Sequence, residues 1–326
     1  MDLIEHEPAI RLLSFGLVLT AMLLWETFAS RRVPTEARLR RGSRNLGLAV
    51  IDSVLVRLIL PMVPVGFAAL AAEWKWGLFH RVTVPPWAAI ALSVVAFDLA
   101  IYLQHVLFHA VPALWRLHMV HHSDLDFDTT TGLRFHPAEI VLSLGLKLAL
   151  VAAIGPPVAA VMLFEILLNG TSLFNHANVR LPPRADRYLR WLVVTPDMHR
   201  VHHSVDRAET NSNFGFNLSW WDRLLGTYRE EPAAGHEDMT IGLEHLRDAR
   251  GLTLGKLLAL PFRGRTGTYS MSGTSRGGPS ATDDRRPRDG ATETARLDRE
   301  RGASDGMRGA CGAMNHPAGE RRSRQR

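Results

Sequence analysis

Four long apolar runs constrain the fold of this chain more than any other feature of its sequence. They cover residues 8–28, 46–72, 86–107 and 140–168. A helix that crosses a bilayer needs about 20 mostly apolar residues, and each run approaches or exceeds that length. Gly155, Pro156 and Pro157 interrupt the fourth run and deny it a continuous helix, so we expect a tight hairpin or kinked pair there. The alternative is a soluble helical protein whose apolar helices are buried.

The distribution of basic residues between the loops predicts how the chain is oriented in the membrane. Six arginines lie between residues 31 and 44, after the first run, whereas the loop between the second and third runs holds Lys75 and Arg81. Positively charged loops stay in the cytoplasm, so we expect an external N-terminus and cytoplasmic ends for the third and fourth runs. Glu5 and Glu7 precede the first run, which favours a retained anchor over a cleaved signal peptide.

The last part of the chain, residues 264–326, has a different composition from the rest. It contains 13 basic and 8 acidic residues and no Val, Ile, Phe or Trp, so we predict that it is disordered. Because it carries most of the net charge of +6, the basic character of the chain gives no argument for nucleic-acid binding. The single cysteine, Cys311, excludes disulfides and cysteine-ligated metal sites within one chain. Any metal must therefore be held by nitrogen or oxygen.

Ten of the 15 histidines fall between residues 105 and 203, and most of them are patterned. His105 and His109 form an HxxxH motif at the end of the third run, and the segments LHMVHHS and MHRVHHS each contain HxxHH. On a helix, spacings of three and four place side chains on one face, so each HxxHH can present three imidazoles to one point. The repeated motif predicts metal ligation, against the alternative of two basic surface helices. Its members are His118, His121 and His122, and then His199, His202 and His203.

The number of these histidines favours two metal ions over one. Two first-row metals with five or six positions each need about eight to ten protein ligands, whereas one zinc ion needs four. No glutamate is followed three residues later by a histidine, so the Glu-x-x-His motif of carboxylate-bridged di-iron bundles is missing from the sequence. Imidazole binds iron, zinc, copper and nickel, so the ligand type alone leaves the metal open.

Two further histidines stand alone between the paired motifs. His176, in FNHANV, follows an intramembrane run, which favours ligation. His136 precedes Pro137, so it is either a ligand or a residue that starts a helix or supports a ligand. The remaining histidines are predicted to be ordinary solvated residues: His6, His80, His236, His245 and His316.

Polar residues near the motifs are candidates to orient the ligands. Asp98 lies two helical turns before His105 inside an apolar run, where it is placed to orient a ligand or to bind Tyr102. Three more follow the last HxxHH and can accept imidazole N–H groups, with loop capping as the alternative. They are Asn211, Asn213 and Asp222.

Arginines every third residue are interleaved with apolar and aromatic residues between positions 180 and 194. This pattern is typical of a helix that lies at the membrane surface. Trp220, Trp221 and Tyr228 also favour packing at that surface.

Six blocks between about residues 98 and 228 occur in a characteristic order: DLAIYLQHVLFH, WRLHMVHHS, RFHPAE, NHAN, TPDMHRVHHS and ETNSNFGFNLSWWDRLLGTY. In these blocks the sequence resembles the fatty acid hydroxylase or sterol desaturase superfamily of integral membrane di-iron enzymes. The resemblance implies a helical membrane fold with a cytoplasmic, histidine-rich cap that holds two irons. Combined with the four apolar runs, it predicts an all-α membrane protein with about four transmembrane segments, the last a broken hairpin. Carried over motif by motif, the metal ligands would be His105, His109, His118, His121, His122, His176, His199, His202 and His203, with His136 as a tenth candidate.

The resemblance also implies a chemistry. Two iron ions, which zinc can replace in preparations, would use O2 to hydroxylate or desaturate a sterol, a fatty acyl chain or a related lipid. The sequence has no GxGxxG fingerprint and no cysteines for a built-in cluster, so electrons must come from a separate reductase with ferredoxin or a small haem carrier. We expect a multi-pass protein of the bacterial cytoplasmic membrane, or of the endoplasmic reticulum in a eukaryote.

These expectations divide the chain into three parts. Residues 1–85 form N-terminal transmembrane helices and loops, residues 86–263 form the catalytic domain, and residues 264–326 form the disordered basic tail. The main alternative is a non-catalytic histidine-rich membrane protein that transports metal or transfers electrons through a bis-histidine haem. Transport predicts ligands spread across the bilayer, and haem would leave most of the histidines unused. A zinc-dependent lipid hydrolase is a third possibility, since imidazole ligands suit it as well.

Overall fold

The computed structural model of the chain describes residues 3–59, 64–263 and 265–272. Within this part all regular elements are helical, and pairing between extended segments is limited to isolated bridges. The α-helices are α1 (Leu3–Phe28), α2 (Arg38–Ile59), α3 (Pro64–Glu73), α4 (Pro86–Ala110), α5 (Pro112–His122), α6 (Pro137–Ile154), α7 (Val158–Asn175), α8 (Pro183–Leu189), α9 (Pro196–His202), α10 (Arg207–Thr210), α11 (Trp220–Leu224), α12 (Gly235–Asp238) and α13 (Leu254–Arg263). Disorder predicted for residues 273–326 concerns residues outside the described part.

Five helical stretches in the described part are long and apolar enough to cross a membrane. Four of them are α1, α4, α6 and α7, and the fifth is a stretch that contains both α2 and α3. The outer face of α1 shows why lipid must cover these helices, because Leu12, Leu13 and Leu17 are each more than 70% exposed. The chain is therefore an all-α membrane protein, as predicted, and the fourth apolar run accounts for two of the five stretches.

The break in the fourth run has a local cause. Gly155 ends α6 in the left-handed conformation with φ of +63°, and its amide still bonds to the carbonyl of Val151. A Cβ atom at Gly155 would lie 2.2 Å from the carbonyl oxygen of Trp76, so no larger residue fits there. Pro156 and Pro157 follow, and α7 starts at the next residue. The predicted break of the fourth run into two helices is confirmed.

The largest apolar cluster lies between α3, α4, α6 and α7, and we call it the membrane-side cluster. Its buried members are Val65, Ala68, Ala71, Phe97, Ile101, Val151, Val161, Met162, Phe164 and Phe216. Phe135 is one of the partly buried residues that pack against it. We call the segment between α4 and α6, together with the described residues after α7, the cap. Phe135 and Phe216 come from loops of the cap, so this cluster joins the cap to the membrane helices.

The predicted interfacial segment is helical over α8 only. Tyr188, Trp191 and Leu192 are 74%, 62% and 52% exposed, which agrees with a position at the membrane surface. Arg190 differs from the predicted pattern, because it is buried and forms an ion pair with Asp186. It therefore belongs to the interior of the cap rather than to a charged surface stripe.

The described residues 265–272 correct the predicted start of the disordered tail. Tyr269 is 3% exposed, and its ring stacks on Trp115 with the centroids 5.9 Å apart. The amide of Met271 donates to the carbonyl of His109, and Asn211 Nδ2 donates to the carbonyl of Tyr269, both at 2.9 Å. The polar composition of this segment predicted disorder, but a single buried tyrosine is enough to hold it in place.

Two truncations test this correction. A chain that ends at Ser272 keeps the contacts of Tyr269, whereas a chain that ends at Arg263 loses them. We expect the shorter chain to unfold at a lower temperature, because removing a large buried aromatic side chain typically costs about 3 kcal/mol or more. Thermal unfolding in detergent, followed by tryptophan fluorescence, measures the difference. Equal melting temperatures for the two chains would show that residues 265–272 contribute nothing to the cap.

Candidate metal centre

The structure brings the nine histidines of the predicted ligand set together in two groups. The first group is His105, His109, His118, His122 and His202, and the second is His121, His176, His199 and His203. Within each group the ligand-capable nitrogens lie within 4.8 Å of one another, and all nine side chains are buried. The groups adjoin, since the rings of His122 and His203 stack with their centroids 4.6 Å apart.

Each HxxHH motif divides its histidines between the two groups, which differs from the prediction that all three face one point. In α5, His118 and His122 join the first group, while His121 joins the second. In and just after α9, His199 and His203 join the second group, while His202 joins the first. Residues four apart share a helix face, and the residue between them points to one side. The motif therefore spans two sites rather than filling one.

Most of the imidazoles are oriented by a hydrogen bond from Nδ1. The acceptors are Phe214 O for His105 (2.8 Å), Asn211 Oδ1 for His109 (3.1 Å), Glu139 Oε1 for His118 (2.7 Å), Arg134 O for His121 (3.3 Å), Ser172 O for His176 (2.7 Å) and Ser212 O for His202 (2.7 Å). Backbone carbonyls accept and cannot donate, so Nδ1 must carry the proton. The lone pair of Nε2 then faces the interior of the group, as in metal-binding histidines.

The nitrogens that face the interior of each group are placed to bind a cation. Nε2 of His105 lies 3.0 Å from Nε2 of His118, and Nε2 of His176 lies 3.1 Å and 3.0 Å from those of His121 and His199. Where Nδ1 of both partners is the protonated nitrogen, two lone pairs face each other and no hydrogen bond can form between them. A cation shared by such nitrogens removes this repulsion. The donor set suits a first-row transition metal in each group.

Burial keeps these imidazoles neutral at physiological pH. It lowers the pKa of His118 to about 3, and burial together with neighbouring imidazoles lowers the pKa of His199 and His203 well below the ordinary value. Neutral imidazole is the form that binds metal. Below about pH 6.5 the unfolded chain takes up protons that the folded chain does not, so stability falls as the pH falls.

Glu139 is an orienting residue that the sequence patterns did not reveal. It lies in the first turn of α6, is 3% exposed, and accepts the Nδ1 proton of His118 at 2.7 Å. A carboxylate in this position fixes the ring and makes the opposite nitrogen a better ligand. The available signal was an acidic residue at the start of an apolar run in the block RFHPAE, where the neighbouring histidine is the more conspicuous candidate.

Substitutions at Glu139 should separate hydrogen bonding from shape. We expect Glu139→Leu to lower metal affinity or activity about 10-fold to 100-fold, because the Nδ1 proton of His118 loses its acceptor. Glu139→Gln should lose less, since its amide oxygen can still accept that proton. Metal analysis of the purified variants and turnover of a lipid substrate provide the measurements. If Glu139→Leu matched the unmodified protein in both, the contact would have no orienting role.

The four predicted orienting residues divide between direct and indirect contact. Asn211 receives the Nδ1 proton of His109, as expected from its position. The carboxylate of Asp222 instead accepts from the amides of Phe214 and Gly215 at 2.7 Å and 2.9 Å. It therefore acts one step away, by holding the backbone whose carbonyl orients His105.

Asp98 and Asn213 also fix backbone near the site rather than an imidazole. Asp98 accepts from the backbone amides of Asn217 and Leu218 at 3.3 Å and 3.2 Å. It also accepts from the side chains of Asn217 and Trp221 at 2.7 Å and 2.8 Å. The side-chain amide of Asn213 donates to the carbonyls of Met198 and Arg229, both at 2.8 Å. Neither of the two roles expected for Asp98 is among its contacts, because the hydroxyl of Tyr102 bonds to Thr227 instead.

His136 lies outside both groups. Its Nδ1 accepts from the amide of Ala138 at 3.1 Å, which caps the start of α6, and its Nε2 donates to the carbonyl of Leu258 at 3.2 Å. Both nitrogens are thus engaged, as the helix-starting interpretation predicted. Among the histidines predicted to be solvated, His236 is a correction, because it is 5% exposed and its Nε2 lies 2.8 Å from Glu231.

Comparisons with known proteins address the same region. Residues 90–227 match the fatty acid hydroxylase family. The chain is 31% identical to an ornithine lipid hydroxylase from Rhizobium tropici over 47% of its own length and 45% of the relative. It is 30% identical to alkylglycerol monooxygenase from Homo sapiens over 53% and 37% of the two chains, and 26% identical to human cholesterol 25-hydroxylase over 43% and 51%.

These alignments are partial, since the chain spans about half or less of each of these relatives. No solved structure matches the chain. The matched residues nevertheless contain the whole histidine centre, from His105 to His203. Residues 90–227, which carry this centre, are therefore similar in sequence to the fatty acid hydroxylase family.

Proposed function

We propose that this protein is a membrane-bound oxidoreductase that uses O2 and two iron ions to hydroxylate or desaturate a lipid. The observation that carries the proposal is the pair of adjoining, buried, all-imidazole groups at the cap end of membrane helices. The names of the relatives support it, because they are lipid hydroxylases and a monooxygenase. Ornithine lipid, alkylglycerol and cholesterol are the candidate substrate classes that these names offer.

Oxidation of an unactivated C–H bond requires a centre of this kind. The bond offers neither an acidic proton nor a polarised carbonyl, so acid–base side chains cannot break it. Reduced iron, when bound, supplies the ability to activate O2 for this reaction. Hydroxylation consumes the lipid, O2, two electrons and two protons, and it yields an alcohol and water. Desaturation with the same inputs yields an alkene and two waters.

The chain itself contributes ligation, orientation and exclusion of water. Five imidazoles would hold one metal and four the other, and the acceptors of their Nδ1 protons would keep the rings in place. Aromatic residues such as Trp115 and Phe214 pack against the rings and keep the centre dry. Electrons would come from a separate reductase with ferredoxin or a small haem carrier, since residues 105–203 contain no cysteine.

Metal analysis and lipid analysis together test this function. Cells with and without the protein are extracted, and their lipids are compared by mass spectrometry for a gain of one oxygen or a loss of two hydrogens. The purified protein should hold about two irons per chain and show no porphyrin absorption. A haem spectrum would favour electron transfer. Metal binding with no lipid change, even when a reductase and ferredoxin are supplied, would favour transport or storage of metal.

We also propose that the cap faces the cytoplasm. Cysteines introduced at the exposed cap residues Ala208 and Glu244, with Cys311 replaced, should resist an impermeant thiol reagent in intact cells and react after permeabilisation. Val82, which is 45% exposed on the opposite predicted side, provides the matched control and should react in intact cells. Labelling of the cap sites from outside would reverse the orientation.

A further inference from the structure

Aromatic rings surround the nine imidazoles, and most of them contact one group only. Phe127 lies 5.1–6.3 Å from His176, His199 and His203, which all belong to the second group. Phe214 contacts only members of the first group, and so does Trp115. These residues line the outside of one group each.

Phe135 and Phe216 are different, because each contacts both groups. The ring of Phe135 stacks on His121 of the second group at 4.4 Å with an interplanar angle of 8°, and it lies 6.4 Å from His118 of the first. The ring of Phe216 lies 5.4 Å from His105 of the first group and 6.1 Å from His199 of the second. Among the aromatic residues in the described part of the chain, these two cover the seam where the groups meet.

The same two residues face the membrane helices. Phe216 is a buried member of the membrane-side cluster, and Phe135 packs against that cluster from a partly buried position. Phe127 instead belongs to a small cluster with Met239 and Ile241 in the cap. The seam between the metal groups is therefore closed by phenylalanine on the side from which an apolar chain would come.

We propose that Phe135 and Phe216 flank the entrance through which an extended hydrocarbon chain reaches the seam, and that their bulk determines which carbon is oxidised. The proposal rests on the proposed function. A carbon that reacts at a centre shared by two metals must approach the point that both groups adjoin. Phenylalanine is large and apolar, so it can hold a hydrocarbon chain by contact but offers no polar anchor. The space between the two phenylalanine rings would then determine how far the hydrocarbon chain of the lipid enters.

Variants that change this space should shift the product. Phe216→Ala and Phe135→Ala remove most of each ring, and we expect the oxygen or double bond to move along the chain by one or more carbons. Phe216→Trp should narrow the entrance and lower turnover at least 10-fold. Tandem mass spectrometry of the lipids oxidised by expressing cells locates the new functional group. Phe216→Leu and Phe135→Leu repeat the test with a smaller loss of volume.

Binding can be measured without turnover. Metal-free protein in nanodiscs is illuminated in the presence of a phosphatidylcholine that carries a diazirine midway along one acyl chain. We expect peptides containing Phe135 and Phe216 to be labelled, and Phe216→Trp to lower the labelling of both several-fold. Peptides containing Phe127 should not be labelled, because that ring lies on the cap side.

Two controls separate an entrance from a general effect on packing. Phe127→Ala removes a ring of the same size that also contacts imidazoles, and it should leave the product position unchanged. Phe97→Ala disturbs the membrane-side cluster at a ring that stacks on Phe164 rather than on an imidazole, and it should do the same. Circular dichroism and metal content show which variants have folded.

The outcomes distinguish this proposal from the proposed function. Lipid oxidation by the unmodified protein, with an unchanged product position in folded Phe135 and Phe216 variants, would overturn the entrance alone. So would equal acyl labelling of the peptides that contain Phe127 and Phe216. If the unmodified protein oxidised no lipid but the seam peptides were still labelled, the proposed reaction would fail while the binding path stood.

Discussion

Replacing His199 by alanine will abolish lipid oxidation and remove metal from the second group. The group contains four histidines, and His199 is fully buried within it, with its Nε2 3.0 Å from that of His176. Alanine deletes one of the four imidazoles that would hold the metal and leaves a cavity in its place. Loss of a ligand is more damaging than loss of an orienting contact, which typically costs about 10-fold to 100-fold. We expect alanine at His118, His121, His122, His202 or His203 likewise to abolish oxidation and to remove metal from the group to which that residue belongs, and nearly the same at His105, His109 and His176.

Metal content per chain and lipid turnover are the two measurements for this series. His80→Ala is the matched control, because His80 is exposed and lies outside both groups. His136→Ala should keep the metal, since both nitrogens of His136 are engaged with backbone groups. A His199→Ala variant that retained two irons and full lipid oxidation would remove the main support for a di-metal enzyme.

The histidine centre was predictable because its residues carry their signal in their own spacing. Two HxxHH motifs and an HxxxH motif at a membrane boundary are far more typical of metal ligation than of packing, and the structure gathers all nine histidines. The division of each motif between two groups was not predicted, since spacing defines a helix face but not the position of a second helix. His121 and His202 show this, because each joins the group that contains two histidines of the opposite HxxHH motif.

The orienting contacts were harder to predict for a physical reason. Four of the six acceptors of Nδ1 protons are backbone carbonyls, among them those of Phe214, Arg134 and Ser172. Every residue has a carbonyl, so no residue type marks the position. Asp98 and Asp222 are polar enough to be recognised as candidates, yet they stabilise the loop that supplies a carbonyl rather than the imidazole itself.

Contacts between helices that are far apart in the chain could not be predicted from the sequence either. The second apolar run predicted that α2 enters the membrane, but not that its first turns reach the cap. Arg41 is 0% exposed, with an Nη1 3.4 Å from Asp124 and an ion pair to Asp128. Asp124 follows His122 by two residues, and Asp128 caps the 3₁₀ helix Thr129–Leu133, next to Arg134, whose carbonyl orients His121. A residue outside the matched region 90–227 thus supports the two histidine groups.

Replacing Arg41 by methionine will destabilise the protein and lower its metal content. The substitution keeps the apolar length of the side chain but leaves two buried carboxylates without their shared partner. Breaking a buried ion pair from one side typically costs about 3–5 kcal/mol, because the remaining charge has lost its compensation. Thermal unfolding in detergent and metal analysis measure the two effects. Arg40→Met is the matched control, since Arg40 is the neighbouring residue and is exposed.

A double variant tests whether the uncompensated carboxylate charge causes the lower stability of Arg41→Met. Asp128→Asn removes one of the two carboxylates, and its side-chain oxygen can still cap the amide of Thr130. We therefore expect the double variant Arg41→Met, Asp128→Asn to be more stable than Arg41→Met alone. A double variant as unstable as the single one would assign the loss to packing around Arg41 instead.

The pH dependence of the Arg41→Met defect gives an independent check. In the native protein, burial would raise the pKa of Asp124, but Arg41, Arg134 and hydrogen bonds hold it below its ordinary value. Such a carboxylate contributes stability above its ordinary pKa of about 3.9, and this contribution is lost as the pH falls below that value. Without Arg41 the pKa of Asp124 must rise, so acid relieves the stranded charge. The difference in melting temperature between the native protein and Arg41→Met should be largest at neutral pH and should shrink as the pH approaches 4. A packing defect would instead give a difference in melting temperature that is independent of pH.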